Sequence, residues 1–146
     1  MKISSDPKFS YYGLLLKTYL RDNFPDKADD NSFIRSRAEE AAEAYSNAIL
    51  DGYGHDKAGE EASDTLFNGL HFSPYNTILD ILWNEFATEV PQSLAPYWSL
   101  ILLRRTTDVF EHYPLTDDFA FTPDYDLLYT ELTGNIQLML EEYGLQ

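Results

Sequence analysis

The sequence predicts an all-α fold, a compact bundle of about six helices whose neighbours cross antiparallel or orthogonally. Apolar residues recur mostly three and four positions apart, which is the helical period, and the alternation typical of strands is almost absent. No internal repeat interrupts the 146 residues, of which 44% are hydrophobic. A chain of this length can bury a core without disulfides or a structural metal. We therefore expect a single helical domain over residues 1–146.

Two helices are predicted in the first third of the chain. The first spans about 11–23 with Ser10 as its N-cap, and the second spans about 33–50 with Asn31 or Ser32 as its N-cap. On each helix the apolar side chains follow one stripe, which we expect to face the core. The inward residues are Leu15, Leu16, Tyr19 and Leu20 in the first helix and Ile34, Ala38, Ala41, Tyr45 and Ala48 in the second.

Two further helices follow after short links. The third spans about 56–68 and ends at Gly69, and its short link to the second helix predicts an antiparallel hairpin. The fourth spans about 74–86, because Ser73 is a favoured N-cap and Pro74 is favoured at the first helical position. Apolar side chains cover most of the fourth helix, so we expect it to be central. The expected core residues here are Ala58, Ala62, Leu66, Leu70, Phe72, Trp83 and Phe86.

The last two helices are separated by a loop over 115–123. The fifth runs from about Ser93 to Tyr113, and the sixth begins near Asp124, with Gly134 as its weak point. The inward residues of the sixth helix are Leu128, Leu132, Ile136, Met139, Leu140 and Tyr143.

The net charge, formally −15, is concentrated towards the C-terminus. Residues 1–57 hold eight Lys/Arg and ten Asp/Glu, whereas residues 58–146 hold two and fifteen. Anionic lipids and nucleic acid repel such a chain, so we expect no membrane contact and no direct nucleic-acid binding. The acidic segment 106–146 is either a solvated face or a surface for a basic partner. With no apolar leader or span visible, we expect a cytoplasmic protein.

The common catalytic motifs are missing from the sequence. It contains no cysteine, and its three histidines are scattered. We also find no nucleophile elbow, no glycine-rich phosphate loop and no H-E-x-x-H motif. No catalytic residue and no cofactor are therefore predicted, and a non-enzymatic function is preferred.

Two pairs of carboxylates nevertheless have the spacing of a metal site. Glu40 and Glu43 on the second helix, and Glu61 and Asp64 on the third, are three residues apart, so each pair can share a hard cation. These patterns resemble the E-E-x-x-E and E-x-x-D signature of the all-α nucleotide pyrophosphohydrolases. The resemblance implies that the four carboxylates hold Mg²⁺ for cleavage of a nucleoside triphosphate. The helical period, however, points both pairs away from the inward stripes, towards solvent.

A polar stripe marks the predicted fourth helix. Asp80 and Asn84 lie on one face with Glu85 beside it, and His71 comes just before the helix. These four residues form either a hydrogen-bond network or a small ligand site. The simplest interpretation of the stripe is a solvent-facing edge.

The segment before the last helix mixes acids with aromatics. Its residues are Asp117, Asp118, Phe119, Phe121, Asp124 and Tyr125. This composition suits docking to a basic protein surface, with mimicry of DNA as a special case. The alternative is that the three aromatic side chains fold back and close the core.

A second resemblance covers about residues 9–103. The stretches 37–45, 68–77 and 81–86, the last with the sequence Ile-Leu-Trp-Asn-Glu-Phe, resemble a small bacterial family of helical domains of unknown function associated with conjugative transposons. The resemblance implies a helical fold and a mobile-element context but no activity. The sequence thus predicts an acidic accessory protein, monomer or homodimer, that binds a basic protein. The alternative is a Mg²⁺-dependent pyrophosphohydrolase.

Overall fold

The computed structural model describes residues 10–144, and within that range the chain forms seven α-helices and no strand. Three single-turn 3-10 helices, at Pro25–Lys27, Gln92–Leu94 and Phe119–Phe121, complete the elements. The all-α prediction is confirmed. The helices are α1 (Tyr11–Asn23), α2 (Asn31–Leu50), α3 (His55–Leu66), α4 (Pro74–Glu85), α5 (Ala95–Arg105), α6 (Thr107–Phe110) and α7 (Asp124–Glu142).

The helices fall into two units, residues 1–68 with α1 to α3 and residues 69–146 with α4 to α7. That the whole chain is one domain stays a prediction. None of the helices described between residues 10 and 144 is long and apolar enough to cross a membrane.

The first unit is built on the hairpin of α2 and α3, with α1 packed on α2. Alanines fill the contact between the two arms, so their backbones approach closely. Ser10 caps α1 as predicted, accepting a hydrogen bond from the Gly13 N–H at 3.2 Å. The buried apolar residues of the first unit are Leu16, Leu20, Phe24, Ala28, Ile34, Ala38, Ala41, Ala48, Ala58, Ala62 and Leu66.

Three details of the first unit differ from the prediction. Helix α2 begins earlier, because Asp30 is the N-cap and accepts from the Phe33 N–H at 3.2 Å. Leu15 is exposed, since one residue of helical rotation carries it about 100° away from the buried Leu16. Tyr45 is only half-buried, because its hydroxyl forms a hydrogen bond with His55 Nδ1 near the surface.

The second unit has one continuous core, to which α4, α5, α6 and α7 all contribute. Ser73 caps α4 as predicted, accepting from the Asn76 N–H at 3.0 Å. Trp83 is exposed, contrary to prediction, because it follows the buried Leu82 by about 100° of rotation. The core consists of Phe72, Ile78, Ile81, Leu82, Phe86, Val90, Ala95, Leu102, Val109, Phe110, Phe119, Leu128, Leu132, Ile136 and Leu140.

The predicted fifth helix is split into α5 and α6 at Thr106. This threonine is fully buried, and its hydroxyl donates to the Leu102 carbonyl at 2.9 Å. Thr77 in α4 and Thr133 in α7 make the same kind of bond in helices that continue, so this bond does not by itself end a helix. The backbone leaves helical geometry at Thr106, and α6 starts immediately after it.

Candidate functional site

The four carboxylates predicted to hold a metal lie on the hairpin of the first unit. Glu40, Glu61 and Asp64 line one open cleft of about 330 Å³, together with Arg37, Thr65 and Asn68. Glu43 is exposed and is not among the lining residues. The structure thus brings three of the four residues to one concave surface.

Basic side chains pair with two of these carboxylates. Arg37 reaches across the hairpin, and its Nη1 donates to the carbonyl of Leu66 at 3.1 Å, at the end of α3, and to that of Asn68 at 2.7 Å, just after it. A cation there also opposes the negative end of the helix dipole. The same guanidinium lies 3.7 Å from a Glu40 oxygen.

The second cation is Lys57, whose Nζ lies 3.4 Å from a Glu61 oxygen. The hydrogen bond that Lys57 donates to Glu61 is the main reason that the pKa of Lys57 is raised. Among residues 10–144, no three His, Cys, Asp or Glu side chains are grouped as ligands for a metal ion. In this arrangement Glu40 and Glu61 each have a basic partner, and metal binding by the predicted quartet stays a prediction.

His71 is held by Asp117 in the second unit. The Asp117 carboxylate accepts from the backbone N–H of Gly69 at 3.0 Å and of His71 at 3.2 Å, and lies 2.9 Å from His71 Nδ1. Burial raises the pKa of Asp117, but these hydrogen bonds outweigh it, so the net shift is downward. Asp117, expected on a partner surface, instead anchors the segment that leads into α4.

The other three polar residues of the predicted cluster lie beside two tyrosines of α7. The Tyr129 hydroxyl donates to Glu85 at 3.0 Å and accepts from Asn84 at 3.4 Å. Asp80 acts on Tyr125 electrostatically, and partial burial raises the pKa of Asp80. Because Asp80, Asn84 and Glu85 are all exposed, these contacts tie α4 to α7 at the surface.

The aromatic side chains before α7 divide between core and surface. Phe119 is 1% exposed and packs edge-on against Phe72, with ring centroids 5.1 Å apart. Tyr125 is half-buried and packs beside the same core. Phe121 is 90% exposed. Phe119 and Tyr125 therefore close the core, whereas Phe121 stays outside it. Docking to a basic partner by this segment stays a prediction.

Carboxylates surround the exposed Phe121 in the sequence. Asp118 and Asp124 are exposed, and Asp118 accepts a hydrogen bond from the Thr116 hydroxyl at 2.6 Å. No ion pair within the described residues involves either of them. The structure thus leaves the ring of Phe121 in solvent, and two carboxylates that form no ion pair among the described residues lie close to it in the sequence.

The outward face of α7 carries exposed apolar residues that were not predicted from the sequence. Leu127 and Leu138 are 61% and 63% exposed there. They lie opposite the row of buried residues on the same helix, Leu128, Leu132, Ile136 and Leu140. A search for apolar residues outside that predicted inward row would have found them.

Comparison with known proteins gives one family and one solved structure. A family model described as a domain of unknown function (DUF1896) matches residues 4–145, past residue 103, where the resemblance seen in the sequence ended. The chain is similar to protein PG0816 from Porphyromonas gingivalis, known from a crystal structure, at 43% identity. The match covers 93% of each chain with a TM-score of 0.88. No curated protein matches the chain.

Proposed function

We propose a non-enzymatic role for this chain, which belongs to the DUF1896 family of domains of unknown function. In this role the acidic second unit binds a basic protein partner. The single observation that carries this role is the exposure of Phe121. A phenylalanine that is 90% exposed contributes almost nothing to the core, whereas aromatic residues are enriched at protein interfaces. Its neighbour Phe119 already supplies the core contact that this segment needs.

The charge of the second unit supports a basic partner. Residues 69–146 hold two Lys/Arg and twelve Asp/Glu. One of the two bases, Arg105, pairs with Glu142 at 3.2 Å. A strongly negative surface steers cationic partners and repels anionic ones.

The sequence adds three further elements to this proposal. A setting in a bacterial mobile element rests on the resemblance to a family associated with conjugative transposons. A cytoplasmic location and a monomeric or homodimeric state are expectations from the sequence alone.

A peptide-display selection tests this role without a known partner. Random peptides are selected on the wild-type protein and counter-selected on Phe121→Ala. We expect the enriched peptides to be cationic, to weaken about tenfold on Phe121→Ala, and to weaken with added salt. Leu50→Ala, at an 82% exposed residue of the first unit, is the matched control and should bind as wild type does. Enriched peptides that are not cationic, or that bind Phe121→Ala equally, contradict the role.

A second candidate is the Mg²⁺-dependent pyrophosphohydrolase. It is favoured by one observation, the shared cleft of Glu40, Glu61 and Asp64. The pairing of Glu40 with Arg37 and of Glu61 with Lys57 argues against it, because these carboxylates already have basic partners. Calorimetric titration with Mg²⁺ and a non-hydrolysable nucleoside triphosphate decides between the candidates. Saturable binding lost in Asp64→Asn but kept in the control Asp56→Asn would favour the hydrolase, and release of pyrophosphate from a hydrolysable nucleoside triphosphate would then test cleavage.

A further inference from the structure

The outward face of α7 carries an apolar stripe with no partner in the described chain. Leu127 and Leu138 are eleven residues apart, which is close to three helical turns, so both project from the same side. Gly134 lies between them on that side and is also exposed. The stripe therefore runs along most of a 19-residue helix.

Gly134 has no role inside the chain that requires glycine. It lies within a continuous helix, its φ is not positive, and a Cβ at this position would meet nothing within 4 Å. Glycine is the poorest helix former after proline. What the missing side chain does provide is a gap between Leu127 and Leu138, into which another backbone or side chain can approach.

Acidic residues flank the stripe on both sides. By helical rotation, Glu131 lies on one side of it and Glu141 on the other. Glu131 accepts from the Tyr113 hydroxyl at 2.8 Å and Glu141 from the Gln137 amide at 3.3 Å, and neither contact neutralises the carboxylate. The apolar stripe is thus bordered by negative charge.

The negative charge of α7 indicates which kind of partner can bind this face. Helix α7 contains five carboxylates and no Lys or Arg, so a second copy would bring like charges together along the whole contact. A partner with apolar residues on one helical face and basic residues beside them matches both features.

We propose that this face of α7 receives a basic amphipathic helix, whose apolar side contacts Leu127, Gly134 and Leu138 and whose Lys or Arg side chains pair with Glu131 and Glu141. The inference rests on the proposed docking function and names the class of partner and the place where it binds. Amphipathic helices commonly bind other proteins by such an apolar face.

The test uses two synthetic peptides of about 18 residues, five helical turns, with identical Leu and Lys content. One places its leucines on a single helical face, and the other distributes them around the helix. Fluorescence anisotropy measures the affinity of the full chain for each. We expect the permuted peptide to bind at least about tenfold more weakly than the amphipathic one.

Variants of the protein locate the contact. The double variant Leu127→Ser/Leu138→Ser and the single variant Gly134→Gln should each weaken the amphipathic peptide about tenfold. The matched control is Leu50→Ser, at an exposed leucine in the first unit, which should retain wild-type affinity. Far-ultraviolet circular dichroism verifies that each variant keeps its helices.

The outcomes separate this inference from the proposed function. The helix-face inference is overturned if both peptides bind equally and their binding is unchanged in the leucine and Gly134 variants. If that binding is reduced in Phe121→Ala, the docking function is kept. Failure of both peptides to bind even at low salt overturns both. Sedimentation that shows self-association of the wild type, abolished by the leucine variant, identifies a second copy as the occupant and overturns the basic helix.

Discussion

Replacing Asp117 by asparagine should destabilise the start of the second unit. In the wild type its carboxylate accepts two backbone N–H groups, of Gly69 and His71, and lies 2.9 Å from His71 Nδ1. An asparagine keeps one acceptor oxygen but turns an NH₂ group towards the remaining donors. The variant therefore removes the charge and at least one hydrogen bond without changing the volume of the side chain.

The expected loss follows from the number and exposure of these contacts. A hydrogen bond to a charged group contributes about 1.5–3 kcal/mol, more than a neutral one. The Asp117 side chain is 35% exposed, so solvent screening reduces that contribution. We expect Asp117→Asn to lower the free energy of unfolding by about 2 kcal/mol at neutral pH.

The loss should depend on pH in a defined direction. The pKa of Asp117 is lowered in the folded state from its ordinary value of 3.8. A carboxyl group with a lowered pKa stabilises the fold above its unfolded pKa, and the stabilisation disappears as the pH falls through the folded pKa. The difference between wild type and Asp117→Asn should therefore be largest near pH 7 and should shrink below about pH 4.

Urea unfolding at pH 7 and at about pH 3 measures both effects, with tryptophan fluorescence and circular dichroism as independent probes. The neighbouring exposed Asp118 supplies the control, because Asp118→Asn keeps an acceptor for Thr116 and should lose less than about 0.5 kcal/mol. If Asp117→Asn lowers the free energy of unfolding no more than this control, the Asp117 carboxylate does not stabilise the start of the second unit. If the loss of stability is the same at both pH values, the charge of Asp117 contributes nothing.

Three further predictions concern stability and are checked by the same unfolding measurement. Phe119→Ala should lower the free energy of unfolding by about 3–5 kcal/mol, because Phe119 is buried. Phe121→Ala should change it by less than about 0.5 kcal/mol, because Phe121 is exposed. Equal losses would contradict the assignment of Phe119 to the core and Phe121 to the surface. Ser99→Ala should gain about 1 kcal/mol, because the buried Ser99 hydroxyl has no hydrogen-bond partner within the described residues; a loss would show that the hydroxyl is satisfied. Gly134→Ala should gain about 1 kcal/mol from helix propensity, and a loss would show that a Cβ does not fit.

The helices that the sequence predicted well are those whose ends depend on neighbouring residues. Ser73 as N-cap and Pro74 at the first helical position predict the start of α4 from adjacent residues alone, and the helix begins there. The same holds for Ser10 at α1. The break at Thr106 was missed, because no proline or glycine marks it in the sequence.

The candidate sites were predicted less completely, because they depend on pairing between distant residues. Spacing alone placed Glu40, Glu61 and Asp64 on the hairpin, and the structure brings them to one cleft. Spacing could not show that Arg37 crosses to the end of α3, 29 residues away at Leu66, and lies beside Glu40. That contact gives one of the predicted metal ligands a basic partner, and metal binding here stays a prediction.

By itself, the sequence determined the all-α class, the position of most helices and the excess of acid in the C-terminal part. These properties follow from periodicity, capping and composition, which are local or additive. Only the tertiary structure decided that Phe119 enters the core while Phe121 stays outside, and that Asp117 binds His71 across 46 residues. Such choices depend on which elements meet in space, because a side chain is buried or paired only by the neighbours that the fold brings to it.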